Sequence, residues 1–204
     1  MQFSLAIFDL GNTVFGTNWD KPFHIWSAAT GLSAAELRSR YIWDHPNFEL
    51  FQRGQLSPQQ FHTHIREVLR VPLSYEDFIR GWTAIYADLY DEVVTAIANL
   101  KPDIIRVAYT NTDPIHETIW MDRYPELSRV FAHIYISSRL GFRKPETPGF
   151  QHILDAWHVT PEQAVFFDDD RINVEAARKF GMTAVQVQKP HDVISHLKVF
   201  KMLA

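Results

Sequence analysis

The sequence predicts an α/β fold, in which helices flank a parallel sheet and a small all-helical cap is inserted after the first strand. Two observations support this prediction. In the second half of the chain, short apolar segments that end at small or acidic residues alternate with helical patterns, which is typical of parallel sheets. Residues 17–89, which follow the first apolar segment, contain helical patterns and no convincing strand.

Five segments predict strands, at residues 5–10, 104–110, 134–137, 164–167 and 183–187. The first is a continuous apolar run that ends at Gly11-Asn12, a pair that favours a loop. The others contain β-branched and aromatic residues, which pack well in sheets. Because ligands of parallel α/β sheets bind outside the carboxyl ends of the strands, polar residues at those ends are the first candidates for a functional site.

Apolar residues at helical spacing predict the helices that connect these strands. Residues 91–100 place four of them on one face: Val93, Val94, Ile97 and Leu100. Residues 173–180 repeat the pattern and end at Gly181, a residue suited to the left-handed conformation that follows many helices. Both segments are therefore interpreted as crossover helices of the sheet.

The inserted segment contains helix start signals of its own. Ser57-Pro58-Gln59-Gln60 is a capping box with proline at the first helical position, and apolar residues follow at Phe61, Ile65 and Leu69. A further helix is predicted from about Ser74, because apolar residues recur at helical spacing at Phe78, Trp82, Ile85 and Leu89. The change of pattern places the cap at residues 17–90 and the core at residues 1–16 and 91–204.

Composition excludes several classes of protein. The 204 residues allow one domain with an insertion, and 24 acidic against 20 basic residues give a net charge of −4, which argues against a nucleic-acid partner. The lack of cysteine excludes thiol catalysis and zinc sites with thiolate ligands. No stretch approaches the ~18 apolar residues of a membrane span, and no basic leader precedes the first apolar run. We therefore expect a cytoplasmic protein without a membrane partner; no pattern indicates its oligomeric state.

Polar residues of complementary chemistry follow four of the predicted strands: Asp9, Thr110-Asn111, Lys144 and Asp168-Asp169. A phosphate monoester is doubly negative, so a carboxylate nucleophile approaches it only when a divalent cation lies between them. Mg²⁺ prefers oxygen ligands such as carboxylates and backbone carbonyls. An ammonium, a hydroxyl and backbone N–H groups can stabilise the charge that develops on the phosphoryl oxygens. The set therefore predicts phosphoryl transfer through an aspartyl phosphate.

Four runs resemble, in this order, the signature motifs of the haloacid dehalogenase-like hydrolase superfamily: Asp9-Leu10-Gly11-Asn12-Thr13, Thr110-Asn111-Thr112, Arg143-Lys144-Pro145 and Phe166-Phe167-Asp168-Asp169. Within this superfamily the chain looks most like the bacterial α-glucose-1-phosphate phosphatase branch. The resemblance covers nearly the whole chain. It implies a Rossmann-like core with a cap. It also implies Mg²⁺-dependent hydrolysis of small phosphorylated metabolites, namely sugar phosphates such as glucose 1-phosphate.

The resemblance also implies a role for each matching residue. Asp9 would be the nucleophile, Thr110 would bind the phosphate, Lys144 would stabilise charge, and Asn111 would help to bind the substrate. The implied metal ligands are Asp9, the Gly11 carbonyl, Asp168 and Asp169. Gly11 departs from the pattern, because most phosphatases of this superfamily carry there a second aspartate that protonates the leaving group. Without that acid, esters whose leaving group is a stable anion should be preferred, such as sugar 1-phosphates over sugar 6-phosphates.

Two alternatives to a phosphatase remain open. In a metal-independent dehalogenase-type hydrolase, Asp9 would attack a carbon that bears a halide, and Gly11 is compatible with that chemistry. Adjacent carboxylates at Asp168 and Asp169 argue against it, since they would repel each other and Asp9 without a cation. The second alternative is a non-catalytic phosphate-binding module that retains the pocket without turnover.

Simpler arguments give structural roles to several other residues. Asp170 is expected to cap the following helix, and Arg143 to lie in a solvated basic loop. His62 and His64 are two positions apart on a predicted helix, so we expect a solvated face rather than a shared metal ion. Three tryptophans, Trp26, Trp43 and Trp82, are expected to form a small core within the cap. The residues of the cap that could replace the missing acid are Asp20, His24 and His45, although nothing in their spacing requires this role.

Overall fold

The computed structural model describes residues 3–43 and 45–204 of the chain. Its strands are β1 (Leu5–Phe8), β2 (Phe15–Thr17), β3 (Tyr86–Leu89), β4 (Ile105–Thr110), β5 (His133–Ile136), β6 (Ala164–Asp168) and β7 (Thr183–Gln186). The helices that precede β4 are α1 (Lys21–Thr30), α2 (Ala34–Arg40), α3 (Pro46–Gln52), α4 (Pro58–Leu69), α5 (Tyr75–Trp82) and α6 (Asp91–Ala98). The helices that follow β4 are α7 (Pro114–Arg123), α8 (Leu127–Val130), α9 (Ser137–Leu140), α10 (Thr147–Trp157), α11 (Arg171–Lys179) and α12 (His191–Val199).

A five-stranded parallel sheet with the strand order β5-β4-β1-β6-β7 forms the core. Leu5 of the central strand β1 lies opposite Ile105 of β4 on one side and Ala164 of β6 on the other. The chain thus builds one half of the sheet outward from β1 and then returns to build the other half. In this topology ligands bind at the carboxyl ends of the strands, where the strand order reverses. The predicted α/β fold is confirmed, and each predicted strand overlaps an observed one.

Alternate residues of the strands face opposite sides of the sheet and bury two apolar layers. Ala6 and Phe8 of β1 pack in a cluster that includes apolar residues of α6, α7 and α12. Leu5 and Ile7 pack in a second cluster with residues of α10 and α11. All four of these β1 side chains are fully buried, which is why the strand reads as a continuous apolar run in the sequence.

The inserted helices α1 to α5 pack around an apolar cluster of their own, in which Trp26, Phe61 and Trp82 are buried. The predicted capping box is present at the start of α4, where the Ser57 hydroxyl accepts a hydrogen bond from the backbone of Gln60. Trp43, by contrast, is 36% exposed, so its predicted place in this core is wrong. Trp43 packs on the rim of the cluster, edge-on against Trp19 and Tyr41.

The chain leaves the insertion as a strand, not as the predicted helix. Helix α5 ends at Trp82, a short 3₁₀ turn follows, and β3 then pairs antiparallel with β2 at the entry to the insertion. The apolar residues Ile85 and Leu89 fit the spacing of a continued helix and also that of a short strand, so the sequence pattern could not distinguish the two. Pairing with β2 provides partners for the backbone and lets Tyr86 pack edge-on against Phe15, 5.7 Å between ring centroids.

The predicted end and cap of the last crossover helix are confirmed. The Asp170 carboxylate accepts a hydrogen bond of 2.8 Å from the backbone N–H of Ile172 at the start of α11. Gly181, just beyond the end of the helix, has a φ of +103°. Within the described part of the chain, no helix has both the length and the apolar character needed to cross a bilayer.

Candidate active site

The polar residues predicted to share a site meet at the carboxyl edge of the sheet. Asp9 directly follows β1, Thr110 ends β4, Asp168 ends β6, and Lys144 lies in the loop between α9 and α10. These four side chains line one cavity of about 270 Å³, together with Gly11, Asn111 and Asp169. Residues far apart in the sequence are therefore brought together as predicted from the strand ends.

The Lys144 ammonium lies between two carboxylates at the bottom of this cavity. It donates a short hydrogen bond to Asp9 and a second one, of 2.7 Å, to Asp168. The Lys144 side chain is only 1% exposed, so water cannot replace these partners. With Asp169 beside them, three acidic groups face one basic group, and the cluster carries excess negative charge.

Burial and charge shift the pKa values of these groups. Burial raises the pKa of Asp9 to about 8; the Lys144 ammonium opposes this rise, while Asp168 and Asp169 add to it. Burial also raises the pKa of Asp169, which a hydrogen bond from Asn12 partly offsets. For Lys144, burial lowers the pKa, but the neighbouring carboxylates of Asp168 and Asp9 outweigh it and hold the pKa above its usual range. The ammonium is therefore firmly charged, and the carboxylates lack sufficient counter-charge.

The two adjacent aspartates have different environments. Asp168 is fully buried and accepts hydrogen bonds from Lys144, from the Asn173 side chain at 3.1 and 3.2 Å, and from the backbone of Asp170 at 2.8 Å. Asp169 is partly exposed, and one of its oxygens accepts a 3.0 Å hydrogen bond from the Asn12 side chain. Asp168 thus anchors Lys144, while Asp169 presents a carboxylate to the open part of the cavity.

Asn111 fixes the loop that carries Lys144. Its side-chain nitrogen donates to the Lys144 carbonyl at 2.9 Å, and its side-chain oxygen accepts from the Lys144 N–H at 2.8 Å. Both ends of the amide are therefore paired with the backbone of Lys144. The Asn111 side chain thus holds the loop of Lys144 in place, and the predicted contact of Asn111 with substrate stays a prediction.

Sequence reasoning missed several residues of this site. Asn12 and Asn173 hold the two aspartates, and Trp19 and His116 line the cavity. Asn173 had a detectable signal, because it lies in the first turn of the helix that directly follows Asp168. The other contacts join residues that are distant in sequence, and no local pattern indicates them.

Arg143 was predicted to be solvated, and this prediction is wrong. Its guanidinium lines the cavity, donates a 2.9 Å hydrogen bond to the Gln52 side chain and forms a 3.2 Å ion pair with Glu49. Both partners belong to α3 of the insertion. The same loop contacts α3 a second time, where Arg53 forms an ion pair with Glu146.

The histidines of the insertion also differ from expectation. His64 is buried, 6% exposed, and its ring lies 4.1 Å from that of His45 between centroids, so it does not lie on a solvated face. The residues considered as substitutes for the missing acid do not line the described cavity. Asp20 forms an ion pair with Arg38, and His45 accepts a hydrogen bond from the backbone of Asn47 at the start of α3.

Gly11 has room for a side chain. A Cβ atom at this position would be 3.6 Å from Thr17 and 4.0 Å from an Asp9 carboxylate oxygen, which are ordinary contact distances. Its φ is not in the left-handed region that favours glycine. Neither crowding nor backbone strain therefore requires glycine here.

The donor set at the strand ends suits a hard divalent cation. Among the residues described, no three His, Cys, Asp or Glu side chains are grouped so as to hold a metal ion by themselves. Mg²⁺, however, usually binds to one or two carboxylates and keeps several waters. Asp9, Asp169 and a backbone carbonyl at Gly11 offer such a set, and the pKa values of both carboxyl groups are raised, chiefly by burial and further by the neighbouring carboxylates.

Comparison with known proteins identifies the family. A model of the haloacid dehalogenase-like hydrolases matches residues 3–181, and the chain belongs to this family. The chain is 22% identical to a D-ribitol-5-phosphate phosphatase of Bacteroides thetaiotaomicron, over 95% of this chain and 96% of that protein. It is 24% identical to a sesquiterpene phosphatase of Aspergillus oryzae, over 91% and 90% of the two chains.

Solved structures show the same fold. A family enzyme of Bacteroides thetaiotaomicron, in complex with magnesium and inorganic phosphate, has a TM-score of 0.78 at 19% identity and covers 91% of this chain and 94% of its own. An L-2-haloacid dehalogenase of Xanthobacter autotrophicus has a TM-score of 0.67 at 14% identity, over 100% and 85% of the chains. The fold is thus shared by a family enzyme that binds magnesium and inorganic phosphate and by a haloacid dehalogenase.

Proposed function

We propose that this protein is a Mg²⁺-dependent phosphatase of small phosphorylated metabolites that acts through an aspartyl-phosphate intermediate. The observation that carries the proposal is the cluster of Asp9, Lys144, Asp168 and Asp169 in one cavity at the carboxyl edge of the sheet. Relatives named as phosphatases, over nearly the whole length of the chain, support it. Sugar phosphates such as glucose 1-phosphate are the proposed substrates.

Asp9 is the proposed nucleophile. An oxygen of its carboxylate forms a bond to phosphorus, while the bond from phosphorus to the ester oxygen breaks and the electron pair leaves with that oxygen. The departing alkoxide takes a proton from water and leaves a hydroxide ion. A second water then attacks phosphorus, the bond to Asp9 breaks, and its electron pair restores the carboxylate. The proton that the attacking water gives up neutralises the hydroxide, and inorganic phosphate leaves.

Lys144 and Thr110 are proposed to hold the phosphoryl group during both steps. Lys144 already contacts the nucleophile, so its ammonium is placed to offset the charge that develops on the phosphoryl oxygens. Thr110 is 6% exposed at the end of β4 and lines the same cavity, where its hydroxyl can donate a hydrogen bond. The Asn111 side chain fixes the position of the Lys144 backbone through two hydrogen bonds.

The proposed metal ligands are Asp9, the Gly11 carbonyl, Asp169 and Asp168. When bound, Mg²⁺ supplies positive charge that offsets the repulsion between the carboxylates and the phosphate. Asp168 contributes chiefly by anchoring Lys144, since its oxygens already accept hydrogen bonds from the protein. Asp169 has the more open carboxylate of the adjacent pair.

The preference for the leaving group follows from Gly11. General acid assistance is typically worth about 10²–10⁴ in rate, and glycine has no proton to donate. An anomeric oxygen forms a more stable anion than an ordinary alcohol. Sugar 1-phosphates are therefore proposed to react faster than the corresponding 6-phosphates.

Residues 17–90 are proposed to act as a cap domain on a core of residues 1–16 and 91–204. Contacts of α3 with the loop that carries Lys144 support this arrangement. The Ser137 hydroxyl, fully buried beside α9, also donates a 2.7 Å hydrogen bond to the Gln52 carbonyl. Such a cap would cover the cavity and exclude water from the reacting groups.

The proposal is tested by phosphate release from a panel of sugar and nucleotide monophosphates, with Mg²⁺ and with EDTA. Metal-dependent release is expected, with glucose 1-phosphate ahead of glucose 6-phosphate. Asp9→Asn should abolish release while the circular dichroism spectrum is kept. If the folded protein releases no phosphate from any ester, the proposal is wrong, and an assay of chloride release from 2-haloacids would then separate a dehalogenase from a non-catalytic module.

A further inference from the structure

The lining of the cavity is of two chemical kinds. The part described above, the polar end, consists of carboxylates, an ammonium and hydroxyls. The lining also includes an apolar, mostly aromatic group, in which Phe15 packs against Tyr86, and Tyr86 and Trp19 pack against His116. Its members are Phe15, Trp19, Ile85, Tyr86, His116 and Trp120. If the phosphoryl group lies at the polar end, as the proposed function requires, the organic half of the substrate meets this aromatic wall.

Trp19 differs from the rest of the wall in its exposure. The other five side chains are at most 8% exposed, because they also belong to the packed interior. Trp19 is only partly buried, so more of its surface is free to contact a ligand. It follows β2 directly, where the chain enters the insertion.

Four rings pack edge-on against Trp19: Trp43, Phe48, Trp82 and His116, of which Trp82 and His116 also stack on each other. Trp19 packs edge-on against Trp82 at 5.5 Å and against His116 at 5.6 Å between ring centroids. Trp82 and His116 are themselves stacked at 5.0 Å, with an angle of 12° between the ring planes. The orientation of Trp19 therefore depends in part on this stacked pair.

Buried contacts with Asp113 hold Trp82 and His116 in their stacked position. His116 Nδ1 is 2.8 Å from an Asp113 carboxylate oxygen, and His116 Nε2 is 2.6 Å from the Trp82 carbonyl. The Trp82 indole N–H donates to the same Asp113 carboxylate at 3.1 Å. The two atoms that face the nitrogens of the His116 ring, a carboxylate oxygen of Asp113 and the Trp82 carbonyl oxygen, are both hydrogen-bond acceptors.

Asp113 is suited to this task by its other contacts. Its second oxygen accepts hydrogen bonds from the backbone of Ile115 and His116, at 2.9 and 3.0 Å, as the N-cap of α7. It is 1% exposed, so its charge is balanced within the protein. Asp113 and His116 lie on the core side and hold the last residue of α5, and they thus join the insertion to the core beside the cavity.

We propose that Trp19 is a specificity-determining residue that packs against the organic half of the substrate, and that the Asp113–His116 pair is the positioning device that orients it through Trp82. The inference rests on the proposed function, because it takes the polar end as the phosphoryl site. The favoured substrate class is a phosphate monoester whose organic group is compact and has an apolar face.

The test compares two non-hydrolysable ligands, phenylphosphonate and methylphosphonate, by calorimetry in the presence of Mg²⁺. The wild-type protein should bind phenylphosphonate more tightly. Trp19→Ala should weaken phenylphosphonate about tenfold, equivalent to about 1.4 kcal/mol, and leave methylphosphonate within about twofold. Equal binding of the two ligands by the wild type, or an equal loss of both in the variant, would overturn the inference.

Control variants separate contact from general damage to the insertion. Trp26→Phe alters a tryptophan that is fully buried in the same apolar cluster but does not line the cavity. It should leave the ratio of the two dissociation constants unchanged. Trp19→Phe keeps a smaller ring, and an intermediate ratio is expected from it even if Trp19→Ala is too unstable to measure.

A double-mutant cycle tests the positioning role of His116. His116→Gln should lower the preference for phenylphosphonate, and the double variant with Trp19→Ala should be no worse than Trp19→Ala alone. Additive losses would show that His116 acts independently of Trp19 and would overturn the positioning role. His64→Gln, at a buried histidine of the insertion that does not line the cavity, should leave the preference unchanged.

These binding measurements are independent of turnover. If the protein releases no phosphate from any ester, the proposed function is wrong, whereas the preference for phenylphosphonate and its loss in Trp19→Ala still decide the inference. If phosphate is released but the preference does not depend on Trp19, the inference alone is wrong.

Discussion

Lys144 is buried between Asp9 and Asp168, and this single ammonium sets the charge balance of the site. Lys144→Ala would leave two carboxylates facing each other and remove the group placed to stabilise the phosphoryl oxygens. We expect kcat/KM for acetyl phosphate to fall by about 10²–10³, the scale of a lost oxyanion donor. Lys198→Ala, at an exposed position on α12, is the matched control and should have no effect. An unchanged kcat/KM in Lys144→Ala would refute the role.

Gly11 offers a test by gain of activity, because a Cβ atom meets nothing closer than 3.6 Å there. Gly11→Asp would introduce a carboxyl group beside Asp9 that can protonate the leaving group. Hydrolysis of glucose 6-phosphate should rise by at least about tenfold relative to that of acetyl phosphate, whose leaving group needs no proton. Gly11→Asn has nearly the same shape without the acid, and the same rise in that variant would contradict this explanation.

The site residues that follow strands could be predicted from the sequence, whereas the residues that hold them in place could not. Asp9, Thr110 and Asp168 are each adjacent to an apolar segment, so local pattern and strand topology suffice to bring them together. The Asn111 clamp on Lys144 and the Asn12 contact with Asp169 depend on loop conformation. Arg143 was misjudged for the same reason, since its partners in α3 are about 90 residues earlier in the chain.

At the level of elements, the errors fall where the insertion meets the core. Helices α4 and α6 begin near predicted positions because capping and apolar spacing are local signals. The strand β3 was missed because its partner β2 lies about 70 residues earlier, and four residues of mixed burial match helical spacing equally well. Local propensity was thus overruled by a long-range pairing.

The contact between α3 and α4 gives the insertion a dependence on pH. Burial lowers the pKa of His64 to about 4, and the neighbouring His45 adds to this effect. In the unfolded chain the pKa is near 6.5, so between these values the unfolded state binds more protons than the folded state. The free energy of unfolding contributed by His64 is therefore fully present above pH 6.5 and is lost as the pH falls towards 4.

Thermal unfolding of His64→Gln checks this prediction. The fall in Tm between pH 7 and pH 5 should be smaller in the variant than in the wild type. His62→Gln, two positions away on α4, serves as the control and should keep the wild-type fall. The same pH dependence in His64→Gln and in the wild type would contradict the assignment.

For the whole molecule, the proposed metal site predicts that the carboxylates at the sheet edge couple folding to the binding of a cation. The pKa of Asp9 is raised in the folded state, so its contribution to stability is largest below its usual value of 3.8 and is lost as the pH rises towards about 8. At pH 8 in EDTA, Asp9→Asn should therefore have a Tm at least as high as that of the wild type. Removing charge from this crowded site should not destabilise the fold.

With Mg²⁺ present, the wild type should instead have a higher Tm than Asp9→Asn. A ligand that binds the folded state alone raises the free energy of unfolding by an amount that grows with the logarithm of its concentration above Kd, so millimolar Mg²⁺ should raise the Tm of the wild type. In Asp9→Asn the increase should be much smaller, because a charged ligand is lost. Equal increases in both proteins, measured by scanning calorimetry, would place the cation elsewhere.

The pairing of β2 with β3 also bears on how the chain folds. Leu5 in β1 must meet Ile105 in β4, and the loop between them spans 100 residues. Once the insertion has folded around its own apolar cluster, the contact between Thr17 and Tyr86 shortens that loop to about a third of its length. Loop-closure entropy grows with the logarithm of length, so the central strand pairing then costs about 1 kcal/mol less. We expect the insertion to form early and the five-stranded sheet to close around β1 afterwards.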